Sequence, residues 1–202
     1  MIFLEHQARF LLVAHALLAA FLVGASTHQL LWCRGYRRAQ FHRATSERRM
    51  VAWVALAYLA TFALGALLYP AYKVRVRGEY FDSPSAVAAE AALRRAEDAR
   101  LDEGAAPPAG VAAGRAPAAW APEAIPDLTW VGRFFDIKEH WVALGAGAAL
   151  VLWLLAAAAH PSVDARFLRA YLGLSFVVCA SAWAGAVIGL VTAAYRTVGG
   201  LS

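Results

Sequence analysis

The sequence predicts an all-α integral membrane protein: a four-transmembrane-helix bundle with a long extracytoplasmic loop between helices 2 and 3. Three observations lead there. The chain of 202 residues is 61% hydrophobic and only 16% charged, with a mean hydropathy of +0.51. Soluble domains run at roughly a quarter charged and less than half apolar. The charges also gather in a few segments, which leaves four long runs nearly bare. Each run approaches or exceeds the roughly 20 residues that a helix rising 1.5 Å per residue needs to cross hydrocarbon. At this length the expected organisation is one membrane domain, residues 1–202.

The first expected span is residues 10–33, bracketed by Arg9 and Arg34. It lacks a basic leader and an A-x-A cleavage site, so it reads as a retained helix and not as a signal peptide. The second is residues 50–72, with Pro70 near its end. The third is residues 140–160, closed by Pro161, which has no N–H to continue the ladder. The fourth is residues 167–195, long enough to tilt. Trp32, Trp53, Tyr69, Tyr72, Trp141 and Tyr195 lie near these ends, where amphipathic rings favour the headgroup level. Gly145, Gly147, Gly185 and Gly189 allow close helix approach, and Ser175, Cys179, Ser181 and Thr192 add hydrogen-bonding groups.

Orientation follows from the short loops. Arg34, Arg37, Arg38, Arg43, Arg48 and Arg49 lie between the first two spans, and Arg166 and Arg169 near the link of the last two. The positive-inside rule makes both cytoplasmic and both termini outside, as expected for a bacterial inner membrane. Lys73, Arg75, Arg77, Arg133 and Lys138 flank the other side and weaken that asymmetry. Loop 73–137 is expected to be partly helical and partly low-complexity. YKVRVRGEYFD at its start alternates like a short strand or an irregular cap. Ser83-Pro84 is a sound helix start, Ser as cap and Pro at the first position, and Gly104 a stop. The Pro/Ala/Gly-rich stretch up to residue 127 is expected to be extended or disordered.

Composition excludes several functions. A formal charge of +5 without a basic stripe interleaved with aromatics gives no nucleic-acid reading. Cys33 and Cys179 form no CxxC or CxxCH, so neither c-type haem attachment nor a cysteine zinc site is supported. Glu5, Glu47, Glu139 and Asp164 all fall at the ends of the expected spans, and a bundle without mid-span acids argues against proton-driven transport.

The histidines carry the functional expectation. His15, His28, His140 and His160 lie in or beside spans, whereas His6 and His42 sit with charged neighbours. Neutral imidazole is a natural ligand for haem iron. Depth pairs His15 with His140 near the outer face and His28 with His160 near the inner one. Each pair comes from two helices, which is how a bundle clamps a b-type haem. Periodicity restricts this: His15 and His28 are about 140° apart around one helix, and His140 and His160 about 160°. One haem is therefore favoured over two, with His28 and His160 as the iron ligands. The polar run Ser26-Thr27-His28-Gln29 needs partners inside an apolar helix, and a packed bundle supplies them as readily as a haem does. FFDIKEHW at 134–141 reads as an interfacial anchor, or as the rim of a quinone or haem pocket with Glu139 and His140 moving protons.

Three functional readings follow. The first is a redox subunit binding haem b and exchanging electrons with a quinone. The second is a cofactor-free structural or assembly subunit of a larger membrane complex, whose partners are the bilayer, other subunits or further copies of the chain. The third is a small enzyme of tetrapyrrole or copper handling.

Overall fold

The computed structural model describes residues 5–81, 129–158 and 165–195, with scattered positions between 83 and 100. Four helices dominate: α1 (Ala8–Cys33), α2 (Ala44–Tyr72), α3 (Thr129–Ala158) and α4 (Ala165–Tyr195). All four are long and apolar enough to cross a membrane, which fits an integral membrane protein. They pack as a closed ring in which α1 touches α2, α2 touches α3, α3 touches α4 and α4 returns to α1. The bundle axis is filled by Leu22, Val54, Tyr58, Leu152, Tyr171 and Val178.

The helices outrun the apolar stretches that mark them. α2 starts at Ala44, six residues ahead of the apolar run at Met50, so SERR forms its first turns. α3 starts at Thr129, which puts His140 three turns into a helix and not at its mouth. In both cases polar residues extend a helix whose backbone ladder is already running, because continuing it needs only one residue fixed per bond. At the far end of α2 the helix passes through Pro70 and continues as a π-helical segment, Lys73–Phe81. The expected strand or irregular cap is therefore helix. Within it Val76 is buried, and Arg77 Nη1 lies 2.5 Å from Asp136 Oδ1 of α3. Tyr72 stacks on Phe135 of α3 with ring centroids 3.7 Å apart. The helix expected after Ser83 is visible at the described positions between 85 and 100, which are helical. Its Gly104 stop, the Pro/Ala-rich stretch and the Pro161 link lie outside the described residues.

α1 and α2 are joined by a short 3-10 turn, Arg34–Arg38, that closes on Ala39. Ala39 has φ 56°, the left-handed conformation that ends a helix, and its N–H bonds Tyr36 O at 3.1 Å while Gln40 N–H bonds Gly35 O at 3.1 Å. So short a connection makes α1 and α2 antiparallel neighbours.

One glycine is dictated by contact. Tyr58 OH of α2 donates to Ser181 Oγ of α4 at 2.9 Å across the bundle, directly over Gly145 of α3. A Cβ at Gly145 would collide with the Tyr58 hydroxyl oxygen and with Ser181 Oγ, whereas one at Gly147 meets nothing within 4 Å. Gly145→Ala should therefore destabilise the bundle by about 1–3 kcal/mol through overpacking. Gly147→Ala should leave it unchanged. Thermal unfolding of the two variants in detergent checks the contrast.

Candidate functional site

The polar run on α1 is answered residue by residue. Ser26 and Thr27 return their hydroxyls to the Val23 carbonyl at 3.2 and 2.7 Å. This back-bonding satisfies a hydroxyl within its own helix. Thr27 also accepts from Trp183 Nε1 of α4 at 3.0 Å. His28 turns away from the bundle: it is exposed, and its ring lies 4.5 Å from the Trp32 ring one turn on. Ser26 and Gln29 are both fully buried, and Gln29 leads to a buried polar centre.

That centre is Glu47, fully buried in the first turn of α2. Its Oε1 accepts from Gln29 Nε2 at 2.8 Å and from Cys33 Sγ at 3.2 Å. Its Oε2 accepts from Tyr171 OH at 2.5 Å and from Tyr36 OH at 3.2 Å. Gln29 Nε2 also reaches Ser175 Oγ and Cys33 Sγ, each at 3.0 Å. Ser175 donates its own proton to the Tyr171 carbonyl at 2.8 Å, so it serves Gln29 as an acceptor. Six side chains from α1, the 3-10 turn, α2 and α4 thus form one network around a carboxyl group. The α2 N-terminus adds its positive dipole end to the donors. Two local patterns build it: Gln29 and Cys33 share a helix face at i, i+4, as do Tyr171 and Ser175.

Glu47 does lie at the end of its span, in the first turn of α2, but it is buried there and not in the loop. It precedes the apolar run of α2, so hydropathy places it in a loop; the helix begins earlier and carries it inside. The i, i+4 polar pairs on α1 and α4 were the available signal.

The histidines occupy separate surroundings. His140 is exposed, with Nδ1 2.8 Å from the Asp136 carbonyl one turn back. His160 lies outside the described residues. His15 is half-buried, and its Cε1 would lie 3.3 Å from a Cβ on Gly65 of α2. Its Nδ1 is buried without a hydrogen-bond partner, and the Thr61 backbone and the Lys138 side chain are its electrostatic neighbours. Lys138 reaches inward from α3, its Nζ 3.1 Å from a Cβ built on Gly189 of α4 and 5.6 Å from the Phe135 ring. Within FFDIKEHW, then, Phe135 and Lys138 pack inward, Asp136 pairs with Arg77 and His140 faces out. Among the described residues, no group of three or more His, Cys, Asp or Glu side chains is placed to hold a metal ion.

Cys33 is buried with its thiol engaged by Glu47, and Cys179 is buried beside Thr27 at 3.7 Å. No protein-family model, curated protein or solved structure matches this chain.

The network makes energetic demands that mutation exposes. Tyr171→Phe removes one donor from the carboxyl group and should lower stability by about 1–3 kcal/mol. Glu47→Ala strands donors from three elements at once and should lower it by more than Tyr171→Phe does. Chemical unfolding in mixed micelles, read by tryptophan fluorescence, measures both.

Proposed function

We propose that the chain is a structural or assembly subunit of a larger complex in the bacterial inner membrane, with the Arg-rich turn on the cytoplasmic side. The observation that carries this reading is the placement of His28. It stands on the outer surface of α1, six residues before Arg34, which is about 9 Å along the helix axis. In a lone bundle that imidazole would face hydrocarbon, where polar side chains are disfavoured and normally turn toward protein. A neighbouring subunit covering α1 supplies the partner that lipid lacks. α1 is also the least covered helix: 17% of its apolar window is buried, against 39%, 33% and 33% for the other three. Phe10, Leu17, Phe21 and Leu31 stand exposed along it.

The test is His28→Leu. If α1 faces a partner subunit or a second copy, the substitution should reduce recovery of the assembly at least tenfold in mild detergent, measured by native mass spectrometry. The thermal midpoint of the isolated bundle should stay put. A chain that remains monomeric in the wild type, with only lipid attached, overturns the reading.

A second reading, a haem b subunit exchanging electrons with a quinone, draws on His15. This half-buried imidazole has an unpartnered Nδ1 and a glycine beside its ring. Neutral imidazole ligates haem iron through an unprotonated ring nitrogen, and the buried Nδ1 of His15 is such a candidate. Purified protein should then show a Soret band that is lost in His15→Ala and kept in His42→Ala. A colourless preparation after haem supplementation excludes it.

A further inference from the structure

The end of α1, the 3-10 turn and the start of α2 line a half-open cavity of about 740 Å³, within the usual size of a small-ligand site. We infer that this cavity binds a phosphate group, with the headgroup of an anionic phospholipid as its occupant. Arg34, Arg37, Arg38, Arg43 and His42 line it, together with one acidic residue, the buried Glu47. That carboxylate is already engaged by four donors from Gln29, Cys33, Tyr36 and Tyr171. The segment 34–49 holds six arginines against this single acid.

The cavity owes its shape to the network beneath it. Tyr36 is drawn inward by its bond to Glu47 and is buried, so its neighbours Arg34, Arg37 and Arg38 in the tight turn are left on the outside. The left-handed Ala39 and the bonds from Ala39 N–H and Gln40 N–H hold the turn. Arg43 stands over the Trp32 ring, 6.0 Å from its centroid. Planar guanidinium groups match the paired oxygens of a phosphate. Like charges gathered around one hollow repel until an anion enters, and the α2 N-terminus opens onto the same space with its positive dipole end. Trp32 and Leu31 form an apolar wall on the side of α1, which suits an acyl chain lying along that helix. Basic recesses at the cytoplasmic ends of membrane helices take anionic headgroups on this principle.

The experiment uses the full chain in detergent, titrated with phosphatidylglycerol or phosphatidylcholine and read by native mass spectrometry. Phosphatidylglycerol should bind at one site and phosphatidylcholine at least tenfold more weakly. The double variant Arg37→Gln/Arg38→Gln should weaken phosphatidylglycerol binding about thirtyfold. Arg9→Gln/Arg133→Gln, at the opposite end of the bundle, should leave it unchanged. An unaltered thermal midpoint of the first variant shows that the loss is one of binding. Inorganic phosphate as competitor separates the two sources: displacement of the lipid at millimolar concentration assigns the site to phosphate itself, and persistence of the lipid assigns it to the whole amphiphile. Equal binding of the two lipids, or undiminished binding in the Arg37/Arg38 variant, overturns the proposal.

Discussion

A carboxyl group buried among apolar helices must be surrounded by donors, and that requirement organises the described half of this bundle near the α1–α2 turn. Glu47 is satisfied only when Gln29 and Cys33 of α1, Tyr36 of the turn and Tyr171 of α4 arrive together. None of these bonds is local to α2. The network therefore sets the rotation of α1, the inward pull of the turn and the approach of α4 in one step. Apolar packing alone, which is non-directional, leaves such choices loosely specified. Hydrogen bonds around a buried charge-bearing group are directional, and leaving one unmade is expensive.

The opposite half is organised differently. Tyr58 bonds Ser181 over the backbone of Gly145, so close approach of α3 is tied to one hydroxyl pair. Beyond it, Lys138 and His15 occupy space left by Gly189 and Gly65, and the π-helical extension of α2 is stitched to α3 by Arg77–Asp136 and by Tyr72 on Phe135. The two halves thus combine a polar lock at one end with small-residue contacts at the other. The same polar lock shapes the surface outside it. By holding Tyr36 in, it turns the arginines of the loop into the wall of a cavity. A structural interaction and a candidate binding feature share a cause.

Much of the architecture was legible in advance because hydropathy reports on long apolar runs directly. The four helices and the need of Ser26, Thr27 and Gln29 for partners were readable from residue type and spacing. Helix starts were not. SERR at the start of α2 and TWVGRFFDIKEH at the start of α3 are amphipathic or charged, and their helicity follows from a ladder continued outward from the apolar part. That difference moved Glu47 from a loop into the core. It also moved Lys138 from a flank to a place beside Gly189 of α4.

The sequence by itself determined that four apolar segments must be helices long enough to span a bilayer, because unpaired backbone groups cannot be left in hydrocarbon. It also determined which residues were chemically able to serve a site. Tertiary structure alone decided which way each of them faces. His28 and Gln29 are adjacent on α1, yet about 100° of helical rotation sends one outward onto Trp32 and the other into the Glu47 network. That rotation is set by donors on α4 and in the turn, more than a hundred residues away in the case of Tyr171. Side-chain type is local information, whereas facing is settled by the partners that a helix meets.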